Sequence, residues 1–101
     1  MRESVLEQFF SKRVRLAGGL SFKLAPTTAG LPDRMVLWPG GRIHVVELKT
    51  ENGRLSEVQN HMHEKMATLG TYVYVLHGPD EVVTWIRHQV NVGSPFPQES
   101  A

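Results

Sequence analysis

Apolar residues near the start of the chain recur at helical spacing. Leu6, Phe10 and Val14 fall at i, i+4 and i+8, and Val5, Phe9 and Leu16 widen the stripe, which predicts a helix over residues 3–17. Gly18-Gly19 ends it. The pattern then changes period. Leu20 to Leu24 reads as a short strand, residues 25–32 form a Pro/Thr/Gly loop, and Met35–Trp38 and Ile43–Val46 are bulky or β-branched strands joined by Pro39-Gly40-Gly41. Asn52-Gly53 marks a turn. Helical spacing returns over Ser56–Leu69, where Ser56 and Gln59 have the spacing of a capping box and Val58, Met62, Met66 and Leu69 form the stripe predicted to be buried. Gly70 stops that helix. Tyr72–Leu76 is a near-continuous apolar run, predicted to be a strand buried on both faces, and Pro79 opens a last helix carrying Val82, Val83 and Ile86. The order α-β-β-β-α-β-α predicts a small α/β sandwich with a mixed sheet, an antiparallel meander followed by a crossover helix.

Composition narrows the class without naming a function. The chain has 101 residues, enough for one core but marginal alone, so a dimer is expected to help. Apolar residues make up 41% and charged residues 21%, as in ordinary globular domains. The net charge of +1 means that any basic surface must be local. Without cysteine, disulfides and thiolate metal sites are excluded, which fits a reducing compartment such as the cytoplasm. No apolar run approaches the ~18 residues of a membrane span, and the opening residues lack a signal-peptide core. The domain is expected to occupy residues 1–90, with 91–101 a flexible tail rich in turn residues.

The candidate chemistry lies at the ends of the two central strands, in Gly30-Leu31-Pro32-Asp33-Arg34 and Glu47-Leu48-Lys49. Hairpin register decides whether these segments meet. A two-residue turn on Gly40-Gly41 would place Asp33 opposite Leu48 and leave Glu47 on the other side of the sheet. A three-residue loop pairs Trp38 with Arg42 and sets Asp33 opposite Glu47. Pro39 at the first central position of a type I turn and Gly41 at a left-handed bulge favour the three-residue loop. Two opposed carboxylates repel each other in a sheet, and a cation between them reverses the sign. Mg²⁺ or Mn²⁺ prefers such hard oxygen ligands, so Asp33 and Glu47 are candidate ligands, with the Leu48 carbonyl as a third. Lys49 can reach a phosphate or the attacking water. A glutamate of the first helix, Glu7 or else Glu3, would complete the site. Arg34 and Arg54, with Lys12, Arg13 and Arg15, are candidate contacts to a DNA backbone.

At these residues the chain resembles the VRR-NUC domain, a branch of the PD-(D/E)XK nuclease superfamily. The resemblance rests on Gly-Leu-Pro-Asp-Arg, then Glu-Leu-Lys, then Gly53-Arg54-Leu55-Ser56 and Gln59, in order and at this spacing, and runs from about Glu3 to about Ile86. It implies a restriction-endonuclease-like αβββαβ core with a mixed sheet flanked by helices. It also implies that Asp33, Glu47 and Lys49 form the catalytic core, with Glu7 or Glu3 from the first helix, Gln59 from the helix after the core motif, and Lys23 near the site. The implied activity is Mg²⁺- or Mn²⁺-dependent hydrolysis of DNA phosphodiester bonds by a small stand-alone, phage-type endonuclease. Such members resemble Holliday-junction resolvases and act as homodimers; the expected partner is DNA, branched or duplex, with the choice between them left open. The rival from another class is a non-catalytic nucleic-acid-binding module on the same fold.

Structural alternatives stand beside these roles. Asp33 can cap the turn after Pro32, Gln59 can serve only the helix cap with Ser56, and Lys23 can blunt a strand edge. His61 and His63 are two apart on a helix and do not face one another, so they are assigned no metal site. Trp38 and Trp85 are expected to pack rather than stack on bases.

Overall fold

A computed structural model describes residues 1–93. Its elements are α1 (Glu3–Leu16), β1 (Leu20–Lys23), β2 (Arg34–Leu37), β3 (Ile43–Lys49), α2 (Glu57–Thr68), β4 (Val73–His77) and α3 (Gly78–Gly93). The sheet order is β1-β2-β3-β4, antiparallel across the first three strands and parallel between β3 and β4, with α2 as the crossover. This is the mixed α/β sheet flanked by helices that the hydrophobic pattern predicts. Among the described residues, no helix is long and apolar enough to cross a membrane. The last helix extends to Gly93, so residues 91–93, expected to begin the tail, are helical. The rest of that expected tail, residues 94–101, lies outside the described residues.

Side-chain alternation gives the sheet two different faces. Val36, Val46, Leu48 and Leu76 point toward α1 and α3, where they meet Leu6, Phe10, Val14, Val82, Trp85 and Ile86 in the core. Burying each such side chain is worth roughly 1.5–3 kcal/mol. The α1 stripe is narrower than predicted: Leu6, Phe10 and Val14 are buried, but Val5 and Leu16 are exposed because α1 meets the sheet along one line only. Both tryptophans pack as expected: Trp85 stacks with Phe10 and meets Trp38 and Tyr74 at a tilt.

The opposite face lies beneath α2 and is much thinner. None of the α2 residues is buried; Val58 is 52% exposed and Leu69 79%, contrary to the predicted buried stripe. Helical spacing shows which side of α2 is apolar, but not how much sheet lies beneath it. β4 likewise departs from a strand buried on both faces. It is an edge strand, with Val73 and Leu76 buried, Tyr74 and Val75 half-buried and Tyr72 67% exposed. The predicted capping box is complete: the Ser56 side chain accepts from the Gln59 N–H, and Gln59 Oε1 accepts from the Ser56 N–H at 2.9 Å.

Candidate active site

The β2–β3 hairpin has the register that brings the acidic residues together. Met35 pairs with Val45 and Leu37 with Ile43, and the Trp38 N–H donates to the Arg42 carbonyl at 2.9 Å across the three-residue loop Pro39-Gly40-Gly41. The turn itself differs from the predicted type I. Gly40 takes φ +88° as well as Gly41 +84°, so a left-handed residue directly follows Pro39, as a type II turn requires. One residue beyond the Arg34–Val46 pair, Asp33 comes opposite Glu47. There the Asp33 carboxylate takes the place of a ladder acceptor: its Oδ2 receives the Leu48 N–H at 2.9 Å.

The loop before Asp33 is shaped by Gly30. Its φ is +84°, and a Cβ there would lie 2.6 Å from the Val58 carbonyl oxygen of α2. Only glycine allows both this backbone conformation and this approach. Gly30 therefore seats the first turn of α2 over the strand ends, and Pro32, fully buried, fixes the entry to Asp33.

Glu47 is 1% exposed, at the base of this arrangement. Gln59 Nε2 makes a long hydrogen bond of 3.4 Å to its Oε2, and His63 Nε2 lies 3.3 Å from its Oε1. Its carboxyl pKa is pushed up to about 8, first by burial, then by hydrogen bonding to Asp33 and by that residue's negative charge; Lys49 pulls it down and Glu3 adds to the rise. The Glu47 carboxyl thus favours its protonated form, beside a second carboxyl group and a lysine. A bound cation can replace that proton.

The remaining sequence candidates fall in different places. Lys49 lies on the Glu47 face and its charge acts on both Glu47 and His63. Gln59 serves the cap and Glu47 at once, using its oxygen for one and its nitrogen for the other, so the two alternatives are both realised. Glu7 is turned toward β1 and β2, 3.5 Å from Lys23 Nζ and 3.6 Å from Arg34 Nη1, whereas Glu3 is the α1 acid whose charge reaches Glu47. Lys23 stays largely exposed beside Glu7, and Arg54 is exposed on the β3–α2 connection.

Arg34, expected to contact DNA, is tied into the protein instead of standing free at the surface. It is buried, with Nε donating to Ser21 Oγ and Nη2 to Ser11 Oγ, both at 2.8 Å, and Nη1 beside Glu7. The alternation that turns Asp33 toward α2 turns Arg34 toward α1. Burial lowers its pKa, opposed by Glu7 and Asp33.

Sequence reasoning missed His63. Its side chain is 11% exposed, and burial first, then Lys49, lower its pKa against the pull of Asp33. A neutral ring donates from Nε2 to an ionised Glu47 or accepts from a protonated one. The available signal was its spacing to Gln59, four residues back on the same face of α2; its spacing to His61 was uninformative.

The donor set fits a hard divalent ion. Among the described residues, no group of three or more His, Cys, Asp or Glu side chains converges as a metal cage. Two carboxylates and a backbone carbonyl suit Mg²⁺ or Mn²⁺, which retain several waters, better than a zinc cage.

Comparison with known proteins agrees with this geometry. Residues 6–80 match the VRR-NUC domain family. The chain is 35% identical over 81 residues to "Putative nuclease p44" of Acyrthosiphon pisum secondary endosymbiont phage 1, covering 79% of this chain and 87% of that protein. It is also similar to a solved structure described as a VRR_NUC domain, with TM-score 0.77, 32% identity, and coverage of 85% of this chain and 95% of the other.

Proposed function

Given that the chain belongs to the VRR-NUC family, we propose that it is a metal-dependent DNA endonuclease, structure-selective in the manner of a junction resolvase. The observation that carries the reading is the buried Glu47 carboxyl facing Asp33, held from α2 by Gln59 and His63 and flanked by Lys49. Burying ionisable groups without a partner costs several kcal/mol; a divalent cation and a substrate phosphate are the partners this cluster suits.

In this mechanism Asp33, Glu47 and the Leu48 carbonyl would hold the ion. When bound, Mg²⁺ or Mn²⁺ supplies a water of lowered pKa and positive charge beside the scissile phosphate. The Leu48 N–H keeps Asp33 aimed at the site. Gln59 and His63 fix the plane of Glu47. Lys49 places its ammonium against a non-bridging phosphate oxygen, where negative charge grows in the transition state, or orients the attacking water. Glu3 supports the attacking water from α1.

The same reading includes a homodimer, since cutting both strands of a branched substrate needs two sites related by a two-fold axis. Among the described residues β4 has an unpaired edge, and with the exposed Leu69 and Tyr72 it is where this reading seats a second copy.

The test is cleavage of labelled four-way junction, flap and linear duplex DNA with Mg²⁺, Mn²⁺ or chelator, beside Asp33→Asn. Metal-dependent cutting, strongest on the junction and lost in the variant, is expected. Metal-independent DNA binding with no cleavage would replace this reading by that of a non-catalytic binding module.

A further inference from the structure

A groove of about 450 Å³ lies between α1 and the β1–β2 hairpin, outside the carboxylate site. Lys12, Arg15, Lys23 and Arg34 line it against a single carboxylate, Glu7. Glu7 is committed to Lys23 and Arg34 at one end. Lys12 and Arg15 are exposed at the other, and among the described residues neither has an ion-pair partner. The uncharged side chains that line it, Ser4, Gln8 and Ser11, can each hydrogen-bond. In a chain with net charge of only +1, four cations against one acid is a local concentration of positive charge.

One end of the groove lies near the strand ends that carry the active site. Lys23 closes β1, and the next residue, Leu24, donates its N–H to the Asp33 carbonyl at 2.7 Å. At the same end α1 carries Glu3, whose charge reaches Glu47. From Glu3 to Arg15 the helix rises roughly 18 Å, comparable to about five nucleotide steps of one strand along a duplex axis. Lys12 and Arg15 are three apart, on the α1 face that also carries Ser4, Gln8 and Ser11. We infer that this groove binds the phosphodiester backbone of one DNA strand adjacent to the scissile phosphate, with Lys12 and Arg15 as its phosphate contacts and Lys23 at its junction with the active site. The inference rests on the reading of the protein as a DNA nuclease, because it takes its ligand from that reading. Arg34 holds the groove floor, its nitrogens committed to Ser11, Ser21 and Glu7.

Binding of a fluorescent duplex to the full chain, measured in chelator across a range of salt, tests this. Neutralising two phosphate contacts in Lys12→Gln/Arg15→Gln should reduce the slope of log affinity against log salt by nearly two, since each contact contributes about 0.9, and weaken binding at least about tenfold at low salt. Arg87→Gln, on the exposed side of α3, should match wild type. Far-UV circular dichroism and melting of the double variant establish that it is folded; if it is not, Lys12→Gln alone should lower the slope by about 0.9. Unchanged slope and affinity, an equal loss in Arg87→Gln, or a wild type that does not bind DNA would overturn the groove. Failure of the nuclease reading looks different: no metal-dependent cleavage, with the salt slope and its loss in the double variant intact.

Discussion

The two faces of the sheet do opposite things with the same four strands. Toward α1 and α3 the side chains are apolar and close-packed, with Leu6, Phe10, Val14, Val36, Val46 and Val82 wholly removed from water. Toward α2 no helix residue is buried, and the most enclosed side chain is a carboxylic acid. The difference separates stability from chemistry. The first face supplies enough buried apolar surface that the second can hold an acidic pair whose repulsion would otherwise oppose folding. α2 is then less a core helix than a carrier for Gln59 and His63.

Register joins the two faces, so changing it should have the largest effect. Adding one residue within Pro39-Gly40-Gly41 shifts the β2–β3 pairing and turns one strand over. Either Asp33 leaves Glu47, or Val36 leaves the core. The expected outcome is loss of Mn²⁺ binding by calorimetry together with a large drop in melting temperature. A variant that binds Mn²⁺ and melts like wild type would contradict the register argument.

Phe10→Ala attacks one face alone. Phe10 is fully buried and stacks at 6.0 Å on Trp85. Its truncation should lower stability by about 3–5 kcal/mol in urea unfolding. At temperatures where the variant is folded, metal affinity should stay near wild type. A selective loss of metal binding without destabilisation would show that the faces are not separable in this way.

This separation explains what was legible in the sequence. The element order and the pairing of Asp33 with Glu47 were readable because alternation and a Pro-Gly-Gly loop are local constraints with few solutions. The turn type was not, since Pro39 suits types I and II equally and the choice falls to Gly40. The burial of Arg34 was not foreseen although the signal was present: neighbours in a strand point to opposite faces, so an inward Asp33 under α2 required an Arg34 under α1. The buried stripe of α2 and the role of His63 share a different cause. Both depend on where α2 sits on the sheet, which Gly30 sets through its contact with the Val58 carbonyl, a long-range fact that helical spacing does not contain.

Glu47→Gln probes the opposite face. The carboxyl is raised from an ordinary 4.5 to about 8 in the folded chain. Between these values the unfolded chain has released the proton and the native chain retains it, so stability is greatest below about pH 4.5 and is lost as pH rises toward 8. Metal-free wild type should therefore melt progressively lower across this window. Glu47→Gln, which cannot ionise, should show a flatter profile and match or exceed wild-type stability at pH 8. In wild type, metal must displace the proton, so Mn²⁺ affinity should rise about tenfold per pH unit up to about pH 8 and then level off. A pH-independent affinity would mean that Glu47 is already ionised at neutral pH.

The smallest of these effects belongs to His63, and it sharpens the comparison most. If α2 is a carrier, removing its imidazole should disturb Glu47 without disturbing the fold. His63 touches Glu47 Oε1 while Gln59 holds Oε2, so His63→Ala leaves the carboxylate with one tether. Loss of such an outer contact to a metal ligand typically weakens metal affinity by about 10–100-fold; the surviving Gln59 tether places the expectation at the lower end, about tenfold. His63→Gln, which can still donate to Glu47, should recover part of that loss, while melting of the metal-free protein shifts little in either variant. If both variants instead lose stability with metal affinity unchanged, His63 belongs to the packing of α2 and the division of labour between the faces is drawn in the wrong place.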